Sequence, residues 1–120
     1  MKSYRDLEIF RISYQLALES HRSSLKLPKY ELYELGSQLR RSTKSIVFNI
    51  TEGYGRKRYK LEFIRFLVIA HASCDEALVQ LEMVSDLYPD EKYKNDLIEK
   101  YQHLGRKINK FIQYVESDWK

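Results

Sequence analysis

The chain has 120 residues, of which 43% are hydrophobic and 32% charged, and a formal net charge of +4. That length predicts one domain over residues 1–120, with a core that needs no disulfide or metal to hold it. The single cysteine, Cys74, excludes an intramolecular disulfide and fits a reducing cytoplasm.

Met1-Lys2-Ser3-Tyr4-Arg5-Asp6 passes directly into an amphipathic stretch, without the apolar segment of a signal peptide. Asp6 is the expected N-cap of a first helix reaching Ser23 or Ser24, because its carboxylate can accept the orphan amides of a first turn. Leu7, Phe10, Tyr14, Ala17, Leu18 and His21 share one face at helical spacing. Ile9, Ile12 and Leu16 form a second apolar row beside it. Lys26-Leu27-Pro28-Lys29 reads as a linker, since Pro28 lacks an amide hydrogen and disfavours helix at Leu27.

A second helix is expected from about Tyr30 to Glu52. Leu35, Leu39, Ser42, Ile46, Asn49 and Gly53 alternate four and three residues apart on one stripe. Small and polar residues interrupt that stripe, which predicts a close-packed neighbour. Gly53 is expected to stop the helix in the left-handed conformation, with Gly55 completing the break. Asn49 and Glu52 suit a packed helix end, with Glu52 placed to pair with Arg41, Arg56 or Arg58.

The third helix, from about Tyr59 to Leu87, is the most apolar. Phe63, Phe66, Leu67, Ala70, Cys74, Ala77, Leu78, Leu81 and Val84 form its stripe. Ile64, Val68, Ala72, Val79 and Met83 line another face. Its apolar run from Phe63 to Ala72 contains Arg65 and His71 and is too short to span a bilayer. Tyr88-Pro89-Asp90 marks a turn. A fourth helix, from about Glu91 to Val115, carries Leu97, Tyr101, Leu104, Ile108, Phe111 and Val115 in heptad-like alternation, with Trp119 in a short polar tail.

Four such segments with short connections predict an all-α, antiparallel up-down-up-down bundle. One apolar stripe per helix suffices for a monomer. The extra rows (Ile9, Ile12, Leu16 and Ile64, Val68, Ala72, Val79, Met83) therefore predict self-association.

Signatures of catalysis are missing. His21, His71 and His103 fall on separate helices, and no HExxH, Glu-x-x-His pair or zinc spacing occurs, so no metal, cofactor or small-molecule substrate is expected. Gly53-Tyr54-Gly55 follows a helix and lacks the Gly-Lys-Ser/Thr ending of a phosphate loop.

The charge is uneven. Residues 1–60 hold 13 Lys/Arg against 6 Asp/Glu, and residues 61–120 hold 8 against 11. Alone, such drift is ordinary for solvated helix surfaces. The basic stretch between helices two and three is more specific. Arg40, Arg41, Lys44, Arg56, Lys57, Arg58, Lys60 and Arg65 can neutralise phosphates, and Tyr54 or Tyr59 can stack on an unpaired base. An acidic protein partner would suit the same charges.

At this turn the sequence resembles a known family. Gln38-Leu39-Arg40-Arg41, Ser45-Ile46, Asn49-Ile50, Glu52-Gly53, Arg56, Lys60, Glu62-Phe63 and Phe66-Leu67 match the pattern of the rRNA intervening-sequence proteins. Tyr4 to Phe10, Ala70, Ser73, Glu76 and Gln80-Leu81 also fit. The resemblance implies a small bacterial protein, a closed left-handed four-helix bundle assembled as a homopentameric ring, and association with RNA or the ribosome. Ser42, Thr51, Tyr59 and His71 depart from the family pattern, and only His71 brings a large change of volume.

Overall fold

The computed structural model describes residues 2–119. It contains four helices: α1 (Glu8–Ser24), α2 (Leu35–Gly55), α3 (Lys60–Leu87) and α4 (Leu97–Asp118), with no strand among the described residues. Each helix packs on the next in sequence, and α1 also meets α4, so the four enclose one elongated core. The molecule measures 48 × 21 × 20 Å.

Helix starts differ from the expected ones for identifiable reasons. Asp6 does not cap α1. Its carboxylate accepts the amides of Lys2 and Ser3 in the capping box of a preceding short 3-10 turn, Tyr4–Asp6. That leaves Leu7 at the start of α1, with no side-chain cap. Likewise α2 begins at Leu35, after a short turn at Lys29–Glu31, because the Glu31 carboxylate accepts the Leu35 amide at 3.1 Å. At α4 the Asn95 side chain accepts the Leu97 amide at 2.9 Å, so the helix starts there.

The face of α1 is rotated from the expected one. Ile9 and Leu16 are buried in the core, with Phe10 and Ala17, while Tyr14 is exposed. They are therefore not free for another chain, and Ile12 and Ile64 are half-buried against the same core. The cause is two buried serines. Ser13 donates to the Phe10 carbonyl and Ser20 to the Leu16 carbonyl, so both hydroxyls enter the core satisfied. Ser20 also bonds the phenol of Tyr101 at 2.8 Å, linking α1 to α4.

Helices α2 and α3 share the most extensive interface and run antiparallel: Ser42 meets Gln80, Ser45 meets Ser73, and Gly53 lies against Phe63 and Phe66. The small residues expected to mark a close neighbour do so here. Gly53 does not stop the helix, however. No glycine has positive φ among the described residues, and α2 continues to Gly55. Gly53 is needed for approach, since a Cβ there would stand 3.0 Å from Phe66 Cβ and 3.3 Å from Phe63 Cδ1. At the same end Trp119 is no free tail. Its ring packs edge-on against Phe63 at 5.1 Å and closes the core.

The two glycines should respond oppositely to alanine. Gly53→Ala overpacks the α2–α3 seam and should lower unfolding free energy by about 1–3 kcal/mol. Gly55→Ala, with nothing within 4 Å, should raise it by roughly 0.4–1 kcal/mol. Urea denaturation of the pair checks both signs.

Candidate nucleic-acid interface

The turn between α2 and α3 is short because its backbone closes on itself. The amides of Arg56, Lys57 and Tyr59 donate to the carbonyls of Gly53, Tyr54 and Arg56 at 3.0, 3.1 and 2.9 Å. With these groups satisfied, the side chains of Arg56, Lys57, Arg58 and Tyr59 stand in solvent, and Lys60 and Arg65 follow on the first turns of α3. The C-terminal carbonyls of α2 and the N-terminal amides of α3 meet at this turn with dipoles of opposite sign, so its positive potential comes from the side chains.

Aromatic rings organise several of these cations. The Lys57 ammonium lies 3.9 Å from the centre of the Tyr54 ring. The Arg56 and Arg65 guanidinium groups lie 4.9 and 5.5 Å from the centre of Phe66. Glu62 stands between the same two arginines at 3.9 and 3.6 Å. It takes the role expected of Glu52, which is exposed and makes no ion pair among the described residues. These pairs are solvent-exposed and hold the side chains only weakly. Arg58, Lys57 and Lys60 have no carboxylate within ion-pair distance among the described residues.

Of the two tyrosines expected to stack on bases, one is unavailable. Tyr54 is 6% exposed and packs edge-on against Phe63, so its ring belongs to the core. Tyr59, 64% exposed at the start of α3, is open to solvent.

The remaining cations form a separate group. Arg41 lies 15 residues before Arg56 on α2, roughly 22 Å along the axis at 1.5 Å per residue. Arg40 is a strut: it donates to the Ser24 hydroxyl at 2.8 Å and to the Leu32 carbonyl at 2.7 Å, tying α2 to α1 and its connection. Asn49 is also occupied, donating to the Ser45 carbonyl and hydroxyl. Arg41 and Lys44 line a shallow hollow with Phe48 and Glu76. Phe48 is 59% exposed and was not singled out in the sequence, although it is an apolar residue on an otherwise polar face.

The outer face of α3 keeps part of the expected second row. Val68, Ala72, Val79 and Met83 are exposed, and Leu61 extends the row toward the basic turn.

No group of three or more His, Cys, Asp or Glu side chains is placed to hold a metal among the described residues. Burial pushes the Cys74 thiol up to about 12, and its Sγ donates to the Tyr101 carbonyl. Among the described residues, no helix is long and apolar enough to cross a membrane.

These features define a four-helix bundle that carries a basic turn at one end. The model of a family described as 23S rRNA-intervening sequence protein matches residues 5–110, and the chain belongs to that family. Among curated proteins, none matches the chain.

His21 reports on the second basic group. Burial, followed by Lys44, Arg40 and Arg22, holds its imidazolium below the ordinary value of 6.5. The unfolded chain therefore binds this proton first, and His21 opposes folding as pH falls below 6.5. Its NMR titration should have a midpoint below 6.5, and Lys44→Gln should move it upward.

Proposed function

We propose that the chain is a non-catalytic RNA-associated protein that binds phosphates through the α2–α3 turn. The supporting observation is the exposure of Arg56, Lys57 and Arg58 together on one hydrogen-bonded turn, with Tyr59 open beside them and Lys60 half-buried at the start of α3. The family's rRNA context points to the same class of ligand. Binding proceeds by neutralising phosphates and releasing counterions, with little base readout. Stacking on Tyr59 adds a smaller contribution.

The same reading includes self-association through the outer row of α3. Five such apolar side chains from Leu61 to Met83 on one solvent-facing stripe exceed what the closed core requires. Five copies is the number that the family resemblance implies for such an assembly. A ring repeats the basic turn, so weak phosphate contacts act together on one long RNA.

Binding of a structured RNA by the purified protein should weaken steeply with salt, with a log–log slope of about −0.7 to −0.9 per phosphate contacted. Arg56→Glu with Lys57→Glu and Arg58→Glu should flatten that slope, and Tyr59→Ala should weaken binding modestly at unchanged slope. No binding at low salt, with capture of an acidic protein instead, would make the turn a protein-docking surface.

Light scattering tests the assembly separately. Val68→Glu with Val79→Glu should reduce a multimeric mass to that of one chain, since both side chains lie outside the core. A monomeric wild type would refute self-association.

A further inference from the structure

A pocket at the other end of the bundle has its own chemistry. The main core ends near Leu39, Leu81 and Leu97, and a second small core of Leu27, Leu35 and Val84 begins beyond it, covered by Tyr88 and Tyr93. The two do not close on each other. Between them lies a cavity of about 250 Å³ whose floor is Leu27, Leu39, Leu81, Val84 and Leu97, each no more than 7% exposed.

Its rim is cationic. Arg22 comes from the last turn of α1, Lys26 from the connection to α2, and Lys92 and Lys94 from the connection between α3 and α4. Two carboxylates also line the pocket, Glu19 and Asp96, but Lys100 holds both, at 2.9 and 3.4 Å. Lys94 is paired with Glu91. Arg22, Lys26 and Lys92 have no carboxylate within 4.0 Å among the described residues, and Lys92 rests over the Tyr93 ring. Cations from three separate segments therefore surround an apolar floor with their charge largely uncompensated.

This combination selects its occupant. Inorganic phosphate would satisfy the rim and leave the hollow over the leucines unfilled, whereas a neutral apolar molecule would fill it and gain nothing from the cations. We propose that the pocket binds a small phosphate ester with a flat or apolar body, of nucleoside-monophosphate size. The phosphate sits among Arg22, Lys26 and Lys92, and the body lies on the leucine floor beside Tyr93. The site is independent of the α2–α3 turn, since Leu39 and Gly55 are about 24 Å apart along α2.

An NMR titration of the full chain with adenosine monophosphate tests this. Saturable shifts are expected at the amides of Ser23, Leu27, Tyr93 and Asn95. Adenosine should bind at least about tenfold more weakly, for want of the charge-assisted bonds to the phosphate. Arg22→Glu with Lys26→Glu should weaken binding by a similar factor without changing the thermal melt, because both side chains are exposed. Arg56→Glu with Lys57→Glu should leave it unchanged. No saturable shift at millimolar nucleotide, equal binding of adenosine, or shifts confined to the α2–α3 turn would each overturn the proposal.

Discussion

The close approach of α2 and α3 is the constraint on which the rest of this structure depends. Gly53 lets the α2 backbone lie against Phe63 and Phe66, and the same seam continues through Ser45 with Ser73 and Ser42 with Gln80. A larger residue at Gly53 would force the helices apart. Phe63 is the hub of this end, touching Tyr54, Phe111 and Trp119 edge-on. Aromatic edges and faces of opposite polarity meet there, adding directional preference to simple burial. Because that end is packed so firmly, the four-residue turn beyond it has little freedom, and its cations project from a fixed base.

Buried polar groups set the register of the remaining helices. Ser20 and Tyr101 join α1 to α4, and Cys74 donates across to the Tyr101 backbone, so one tyrosine couples three helices. Every buried side-chain polar atom among the described residues has a partner. An apolar core alone tolerates sliding by a helical turn. These bonds do not, because a slipped register would leave a hydroxyl unsatisfied in an apolar interior. Arg40 acts similarly at the surface, spending a cation on Ser24 and Leu32 to hold the α1–α2 connection.

Charge is thereby divided between two ends of a long molecule. At the α2–α3 turn, cations lie over aromatic rings and around one carboxylate, an arrangement open to an extended polyanion. At the opposite end, cations ring a small hollow left where two hydrophobic clusters fail to merge. An extended polymer and a compact anion call for these two different geometries. Between them runs the outer face of α3, whose apolar side chains contribute nothing to the core of a single chain.

Much was determined by the sequence itself: four helices, their order, the core stripes of α2, α3 and α4, and the family, because apolar periodicity and a dense local motif are properties of contiguous residues. The basic turn was legible for the same reason. Only the tertiary structure decided which residues of that turn are free. Tyr54 and Tyr59 look alike in sequence, but a helix that runs on through Gly53 carries Tyr54 into the core and leaves Tyr59 outside. Ile9 and Leu16 looked like a spare face because hydropathy cannot anticipate that Ser13 and Ser20 satisfy themselves and turn α1 inward. Arg40 looked like its neighbour Arg41 until the α1–α2 connection supplied acceptors for it. For Tyr54 and Arg40 the burial or the bond was set by a partner on another segment, and such partners exist only once the chain has folded.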